Sequence, residues 1–312
     1  MVGPDRKFYP SGKKLVFSDW IEEDVWRSSY NDSKMLIKVA QKYFSHMIVL
    51  DDYRIDKTYQ KNLKEFKMHF LLFDNNTRND IFADIVLNTN PIVTKKSYKR
   101  KLFNCEAKLL LGLKYSIIRS EFLTATPVVK DTIKRVLITF GGGDDRGAIL
   151  FVLQALTKQQ MENVEFIVVS GESNPNNGNI SQWINNGDFD NIQLKINPSF
   201  IAQLFASCNV AIMAGGTTVF EIARIGLPMI LIAIANNQVQ HSKDWHQISD
   251  SVEFLGSLKD VKVTDIIGAL DKYLLQQGSI HNHSALVDGE GKNRVALEVI
   301  KIREKYEHLV SN

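Results

Sequence analysis

The chain has 312 residues, 44% hydrophobic and 23% charged, with 38 basic against 35 acidic side chains and a formal charge of +3. That length fits two domains of ordinary size, and that balance belongs to a chain with packed cores, which excludes a disordered or collagen-like protein. The small positive excess is spread out, and its one dense run, Lys95–Lys101 (KKSYKRK), falls in a polar loop, so the charges call for no nucleic-acid partner.

The N-terminal stretch MVGPDRKFYPSGKK is polar and lacks the apolar run of a signal peptide. No segment approaches the roughly 18 to 20 apolar residues of a membrane span, and the longest candidate, Ile225–Ile234, is interrupted by Gly226 and Pro228. Cys105 and Cys208 are far apart and form no CxxC pair, which reads as two reduced thiols. A cytoplasmic protein is the expectation.

Short apolar runs mark the first half: KLVF at Lys14–Phe17, MIVLDDY at Met47–Tyr53, HFLLFD at His69–Asp74, DIVLN at Asp84–Asn88 and KLLLG at Lys108–Gly112. They are unbroken rather than alternating, which suits strands buried on both faces of a parallel sheet, and helical patterns such as Ser33–Phe44 lie between them. A polar stretch with Pro127, Thr124–Lys134, reads as a linker. From Arg135 the order is RVLITF, a glycine cluster, a helix Ala148–Leu156, EFIVVSG, NIQLKI, a short helix Ile201–Ser207, NVAIMA, a helix Thr217–Ile225 and PMILIAIA, with a closing helix Lys292–Leu309. Strand, turn and helix in alternation predict doubly wound α/β architecture, here as two domains, 1–127 and 128–312, with a cleft at the carboxyl ends of their strands.

The strongest chemical signal is AIMAGGTTVFEIARIGLP, Ala211–Pro228. Gly215 and Gly216 let backbone amides approach a ligand, and Thr217 or Thr218 can cap the next helix. The start of such a helix favours phosphate, because unpaired N–H groups and the helix dipole both attract an anion. Glu221, one turn on, can accept hydrogen bonds from a ribose diol. The bland alternative is a tight strand-to-helix turn with a surface glutamate; the spacing of Glu221 and the IGLP that follows favour a nucleotide sugar.

A second turn, FGGGDDRG at Phe140–Gly147, offers Gly142 and Gly143 for backbone contact and Asp144 as a helix cap, or is a turn and nothing more. It matches neither GxGxxG nor GxxxxGKS. Asn236, Asn237 and Gln238 follow a strand and either read a polar ligand or form a polar loop. His241/His246 and His281/His283 lack Cys or acidic partners at metal spacing, so no metal or other cofactor is expected. In LDDYRID, Asp51, Asp52 and Tyr53 end a strand; adjacent residues face opposite ways, so at most one acid shares a site with Tyr53, and Asp51 is otherwise a helix cap. Arg119 either clamps an anionic substrate or pairs with Glu121 or another acid.

Together these segments resemble the nucleotide-sugar hydrolase family of pseudaminic acid biosynthesis, which removes UDP from UDP-2,4-diacetamido-2,4,6-trideoxy-β-L-altropyranose. The resemblance rests on IVLDDYRID, GLKYSIIRSEF, ITFGGGDDRG, AGGTTVFEIARIGLP, NNQ and VDGEGKNRV in that order, from about Trp20 to Val295. It implies a GT-B fold of two Rossmann-like domains, with Gly215, Gly216, Thr217 and Thr218 at the diphosphate, Glu221 at the ribose, Gly142 and Gly143 lining the cleft, and Asn237 and Gln238 near the sugar. Tyr53, Asp52 and Arg119 are the first-half candidates for catalysis and substrate orientation. In the family, water activated by a base displaces UDP while donors stabilise the leaving diphosphate.

Two departures stand out. The family opens with a GxGH loop whose histidine serves as base, whereas the first histidine here is His46, in FSHMIVL; the N-terminal domain is expected to be incomplete by an opening unit of roughly 50 to 70 residues. Asp52 stands where the family has histidine. A GT-B glycosyltransferase using a UDP-sugar and a non-catalytic nucleotide-sugar-binding protein are the rival readings.

Overall fold

The computed structural model describes residues 29–45, 47–75, 77, 80–127, 133–158, 163–187, 189–275 and 285–310. The expected Lys14–Phe17 strand, His46, His281 and His283 lie outside them. The chain divides into two compact units. One holds the described residues up to Thr89, Val93–Tyr115 and the chain from Asn293 on; the other holds Asn90–Ile92 and Ser116–Lys292. The division thus falls after Tyr115 rather than at 127/128, and the closing helix counts with the first unit.

In the first unit, helix α1 (Ser29–Lys42), strand β1 (Met47–Leu50), helix α2 (Lys57–Glu65) and strands β2 (His69–Phe73), β3 (Ile85–Asn88) and β4 (Lys108–Leu111) build a parallel sheet of order β1-β2-β3-β4. Alternation along the strands supplies two apolar faces. Phe70, Leu72 and Val86 pack with Ile37 and Ala40 of α1 and Tyr59 and Leu63 of α2. Leu71, Ile85, Leu87 and Leu110 pack with Val295, Val299 and Ile302 of the C-terminal helix, Gly291–Val310. Both faces are covered, which is why the strands read as continuous apolar runs.

The second unit runs β5 (Lys134–Thr139), α3 (Ala148–Leu156), β6 (Val164–Ser170), α4 (Asn177–Asn186), β7 (Ile192–Ile196), α5 (Ile201–Ala206), β8 (Val210–Ala214), α6 (Thr218–Ile225), β9 (Met229–Ala233), α7 (Asn236–Ile248), β10 (Val252–Ser257) and α8 (Val263–Leu275); the C-terminal helix is α9. Its parallel sheet has the order β10-β9-β8-β5-β6-β7. Val136, Ile138, Phe166, Val168, Ile212 and Ile230 form one core with α3 and α8. The alternate residues Leu137, Ile167, Ala211, Met213 and Leu231 are buried on the opposite face, and α7 lies along β9 and β10.

β5 begins the unit and sits between β8 and β6, so the winding reverses direction beside it. Ligands of open α/β sheets bind at the carboxyl ends of strands beside such a switch point. The turns after β5, β8 and β9 therefore follow the carboxyl ends of three adjacent strands, and these are the three turns that the sequence singles out. Among the described residues, no helix is long and apolar enough to cross a membrane.

Candidate functional site

The turn after β8 is built around absent side chains. Gly215 is buried, and a Cβ there would stand 2.0 Å from Ser242 Oγ and 3.3 Å from the Gln238 carbonyl, so α7 can lie this close only under a glycine. Gly216 and Thr218 are partly exposed and Thr217 is exposed. Thr217 occupies the N-cap position of α6 with helical φ of −67° and ψ of −23°, and its side chain makes no capping hydrogen bond, contrary to the expected threonine cap. The first intrahelical bonds run from Val219 to the Gly216 carbonyl (3.2 Å) and from Phe220 to the Thr217 carbonyl (3.1 Å). The amides of Gly216, Thr217 and Thr218 meet no acceptor among the described residues, which leaves a helix mouth with three donors to offer. At the far end, Gly226 in the left-handed region (φ 85°) and the Leu227 N–H to Ile222 carbonyl bond close α6, and Pro228 opens the next strand.

Glu221 is buried, and its partner is Arg119, 102 residues earlier in the chain. The guanidinium grips the carboxylate in a fork, Nε to Oε1 at 2.8 Å and Nη2 to Oε2 at 2.8 Å, while the Arg119 backbone N–H reaches Oε1 at 3.4 Å. Glu121 stands 3.5 Å from Nη1, and the ring of Phe122 lies 4.9 Å beneath the guanidinium carbon. The hydrogen bonds to Glu221 hold the Arg119 pKa above its ordinary value, against the burial that would lower it. Arg119 thus pairs with acids, chiefly Glu221. A carboxylate has about four lone-pair sites, so Glu221 keeps acceptor capacity beyond the two that Arg119 occupies.

The glycine turn after β5 is exposed at Gly142 and Gly143, with Gly141 (φ 98°) and Gly147 (φ 79°) in the left-handed region. The Gly142 backbone rests on Gly171 at the end of β6: a Cβ on Gly171 would stand 2.2 Å from the Gly142 carbonyl oxygen. The helix-capping carboxylate is that of Asp145 and not of Asp144. Asp145 Oδ2 accepts from the Ile149 N–H at 2.9 Å and Oδ1 from Asn176 at 2.6 Å, whereas exposed Asp144 accepts from the Arg146 N–H at 2.8 Å. The N-cap position of α3 is Gly147, which has no side chain to cap with, so the carboxylate of Asp145, two residues earlier, supplies the acceptor for the helix start.

Asn236, Asn237 and Gln238 do not form a loop: they are the first turn of α7. The Gln238 side-chain oxygen accepts from the Ile234 N–H at 3.0 Å, which leaves its NH₂ group for other partners, and Asn237 is exposed. Further along α7, His241 Nδ1 lies 3.0 Å from the Gly215 carbonyl and Trp245 Nε1 lies 3.0 Å from His241 Nε2. No local motif marks this histidine; its signal in the sequence is the His-x-x-x-Trp spacing that puts both rings on one helix face. His246 Nδ1 instead meets the Val252 carbonyl at 2.6 Å. Among the described residues no group of three or more His, Cys, Asp or Glu side chains is placed to hold a metal ion.

In the first unit, Asp52 bonds the Arg54 N–H at 2.7 Å and its guanidinium at 3.1 and 2.8 Å. Tyr53 is exposed just past β1, as is Asp51. The residue that caps α2 is Asp56, which accepts from the Tyr59 N–H at 2.8 Å, and not Asp51. At the carboxyl ends of β2 and β3, Tyr98 donates to buried Asp74 (2.8 Å) and accepts from buried Asn88 (2.9 Å).

No family model matches the chain. An uncharacterized protein of Methanocaldococcus jannaschii is 28% identical over 247 residues, covering 73% of this chain and 50% of that protein. The Helicobacter pylori pseudaminic acid cytidylyltransferase and UDP-2,4-diacetamido-2,4,6-trideoxy-β-L-altropyranose hydrolase is 26% identical over 139 residues, 44% of this chain and 24% of that protein. The matched part is thus half of one curated relative and about a quarter of the other. Among solved structures, the spinosyn rhamnosyltransferase SpnG complexed with thymidine diphosphate matches with a TM-score of 0.60 at 13% identity, covering 88% of this chain and 79% of that one. The UDP-GlcNAc 2-epimerase of Neisseria meningitidis bound to UDP-GlcNAc matches with a TM-score of 0.59 at 13% identity, covering 88% and 81%. With its parallel sheets and these neighbours, the chain is an α/β protein of the GT-B fold type, the architecture of these glycosyltransferase and epimerase structures.

Proposed function

We propose that the second unit binds the UDP part of a nucleotide sugar and that the protein hydrolyses it, releasing UDP from a diacetamido-trideoxy hexose of pseudaminic or related nonulosonic acid biosynthesis. The observation that carries this reading is the open mouth of α6: three amides that meet no acceptor among the described residues, a glycine turn on either side of the β5/β8 switch point, and a buried carboxylate one turn into the helix. The partial likeness to the H. pylori protein supports the substrate class, and nucleotide-bound structural neighbours support the ligand type.

In this reading the amides of Gly216, Thr217 and Thr218, beside Gly215, hold the diphosphate and stabilise it as charge builds on departure from the anomeric carbon. Glu221 accepts from the ribose diol through the lone pairs that Arg119 leaves open, and Arg119 fixes that carboxylate. Gly142 and Gly143 admit the ligand close to backbone. Asn237 and the Gln238 amide group read the sugar. Asp52 and Tyr53 serve the attacking water, with no metal in the step.

Calorimetry with UDP tests the site. Glu221→Gln is expected to weaken UDP roughly tenfold, in line with the loss of hydrogen bonds to a charged group, and an affinity unchanged within error ends the ribose assignment. Product analysis tests the reaction: free sugar plus UDP supports hydrolysis, UDP released only with an acceptor supports the glycosyltransferase, and binding without turnover supports a non-catalytic protein. Tyr53→Phe and Asp52→Asn are expected to cut turnover on the order of 100-fold with UDP affinity intact.

A further inference from the structure

One ring behind the Gly215–Gly216 turn has no task in the reading above. His241, in the second turn of α7, sits between Phe220 (ring centroids 5.4 Å apart) and Trp245 (6.3 Å, perpendicular). Two hydrogen bonds determine which nitrogen carries its proton. The Trp245 indole nitrogen lies 3.0 Å from Nε2, and an indole N–H only donates, so Nε2 presents its lone pair. Nδ1 therefore bears the hydrogen and donates it to the Gly215 carbonyl at 3.0 Å.

That bond sets more than a carbonyl. The described peptide bonds are all trans, so the Gly215 C=O and the Gly216 N–H point in opposite directions from one rigid plane. With the carbonyl drawn toward α7, the Gly216 N–H turns away from α7, and it meets no acceptor among the described residues. A diglycine peptide flips easily when nothing tethers it, because neither residue has a Cβ to block the alternative. We infer that His241, a neutral Nδ1–H imidazole locked by Trp245, is a positioning residue that fixes the Gly215–Gly216 peptide so that the Gly216 N–H faces an anionic phosphate group. The inference rests on the reading of this turn as the diphosphate site. Burial keeps the His241 pKa below its ordinary value, outweighing the Gly215 carbonyl and the charge of Asp244, and so maintains the neutral ring that accepts from Trp245.

Nuclear magnetic resonance and calorimetry on the full chain test this. Imidazole nitrogen shifts are expected to show a protonated Nδ1 and a bare Nε2. His241→Phe keeps an aromatic ring and removes the donor, so the Gly216 amide resonance should move and UDP affinity fall roughly tenfold. His241→Asn loses the ring but places an N–H near the position of Nδ1, and should hold affinity within about threefold of the natural protein. Trp245→Phe frees Nε2 and should admit the other tautomer, an independent readout if the His241→Phe chain fails circular dichroism as a folded protein. A ring that serves only as packing predicts the reverse order, with Asn worse than Phe. That order, an Nε2–H tautomer in the natural protein, or an unmoved Gly216 amide in His241→Phe would overturn the tether. A natural protein that binds no UDP would instead overturn the diphosphate reading, and with it the ligand assigned to Gly216, while the tautomer and the Gly216 resonance still decide whether the tether exists.

Discussion

Asp84, at 6% exposure, shows how a buried charge is kept in this protein. Its carboxylate accepts from the Phe70 N–H at 2.9 Å, from the Lys64 ammonium and from His69 Nδ1 at 3.2 Å. Burial pushes its pKa up, yet the hydrogen bonds from His69 and Lys64 outweigh that and hold it below the ordinary value. A carboxyl whose folded pKa lies under its unfolded one, near 3.9, stabilises the fold fully above that unfolded value and loses the contribution as pH falls through the folded one. Asp84→Asn is therefore expected to cost about 3 kcal/mol at neutral pH, by leaving Lys64 unpaired, and to flatten the acid limb of the stability profile. Urea titrations from pH 2 to pH 7 check both; superimposable acid limbs would show that Asp84 is no source of acid sensitivity. The sequence gives no hint of the trio, because residues 64, 69 and 84 converge only once three elements have packed.

Helix starts separate what local pattern reveals from what it hides. The helix after the triple glycine is legible in the sequence, but its capping carboxylate is Asp145 rather than Asp144, since the N-cap position falls on Gly147, which has no side chain. Asp145→Ala is expected to destabilise the second unit by about 1 to 2 kcal/mol and Asp144→Ala by less than about 0.5; equal losses in chemical denaturation would refute the assignment of the cap. The core strands β2, β3, β5, β6, β8 and β9 are legible because burial on both faces demands unbroken apolar runs. Helices α2 and α4 are not, as KTYQKNLKE and NGNISQWINN carry few apolar residues, and α4 buries a single side chain, Ile180. The start of α7 hides behind Asn236–Gln238, which looks like a loop because no side chain caps it. In the candidate site, both glycine turns can be read from the sequence, since special backbone demands special residues. The Arg119–Glu221 fork cannot, since no spacing encodes a pairing 102 residues apart.

The molecule as a whole has separate apolar cores in its two units. A ligand of the second unit should accordingly stabilise that unit first. At a concentration 100 times its dissociation constant, UDP is expected to add about 2.7 kcal/mol, seen by hydrogen-exchange mass spectrometry as slower exchange in β5, β8 and α6 with β2 and β3 unchanged. Equal slowing in both sets would show that the two units open together. The first unit is also discontinuous in the chain, because the residues of α9 that cover Leu71, Ile85, Leu87 and Leu110 follow the second unit. On the ribosome, the strands that emerge early must wait with one oily flank uncovered until the whole second unit has been translated. Strands made before the second unit are thus sealed only after it, and a nascent chain stalled before Asn293 would present that flank to chaperones.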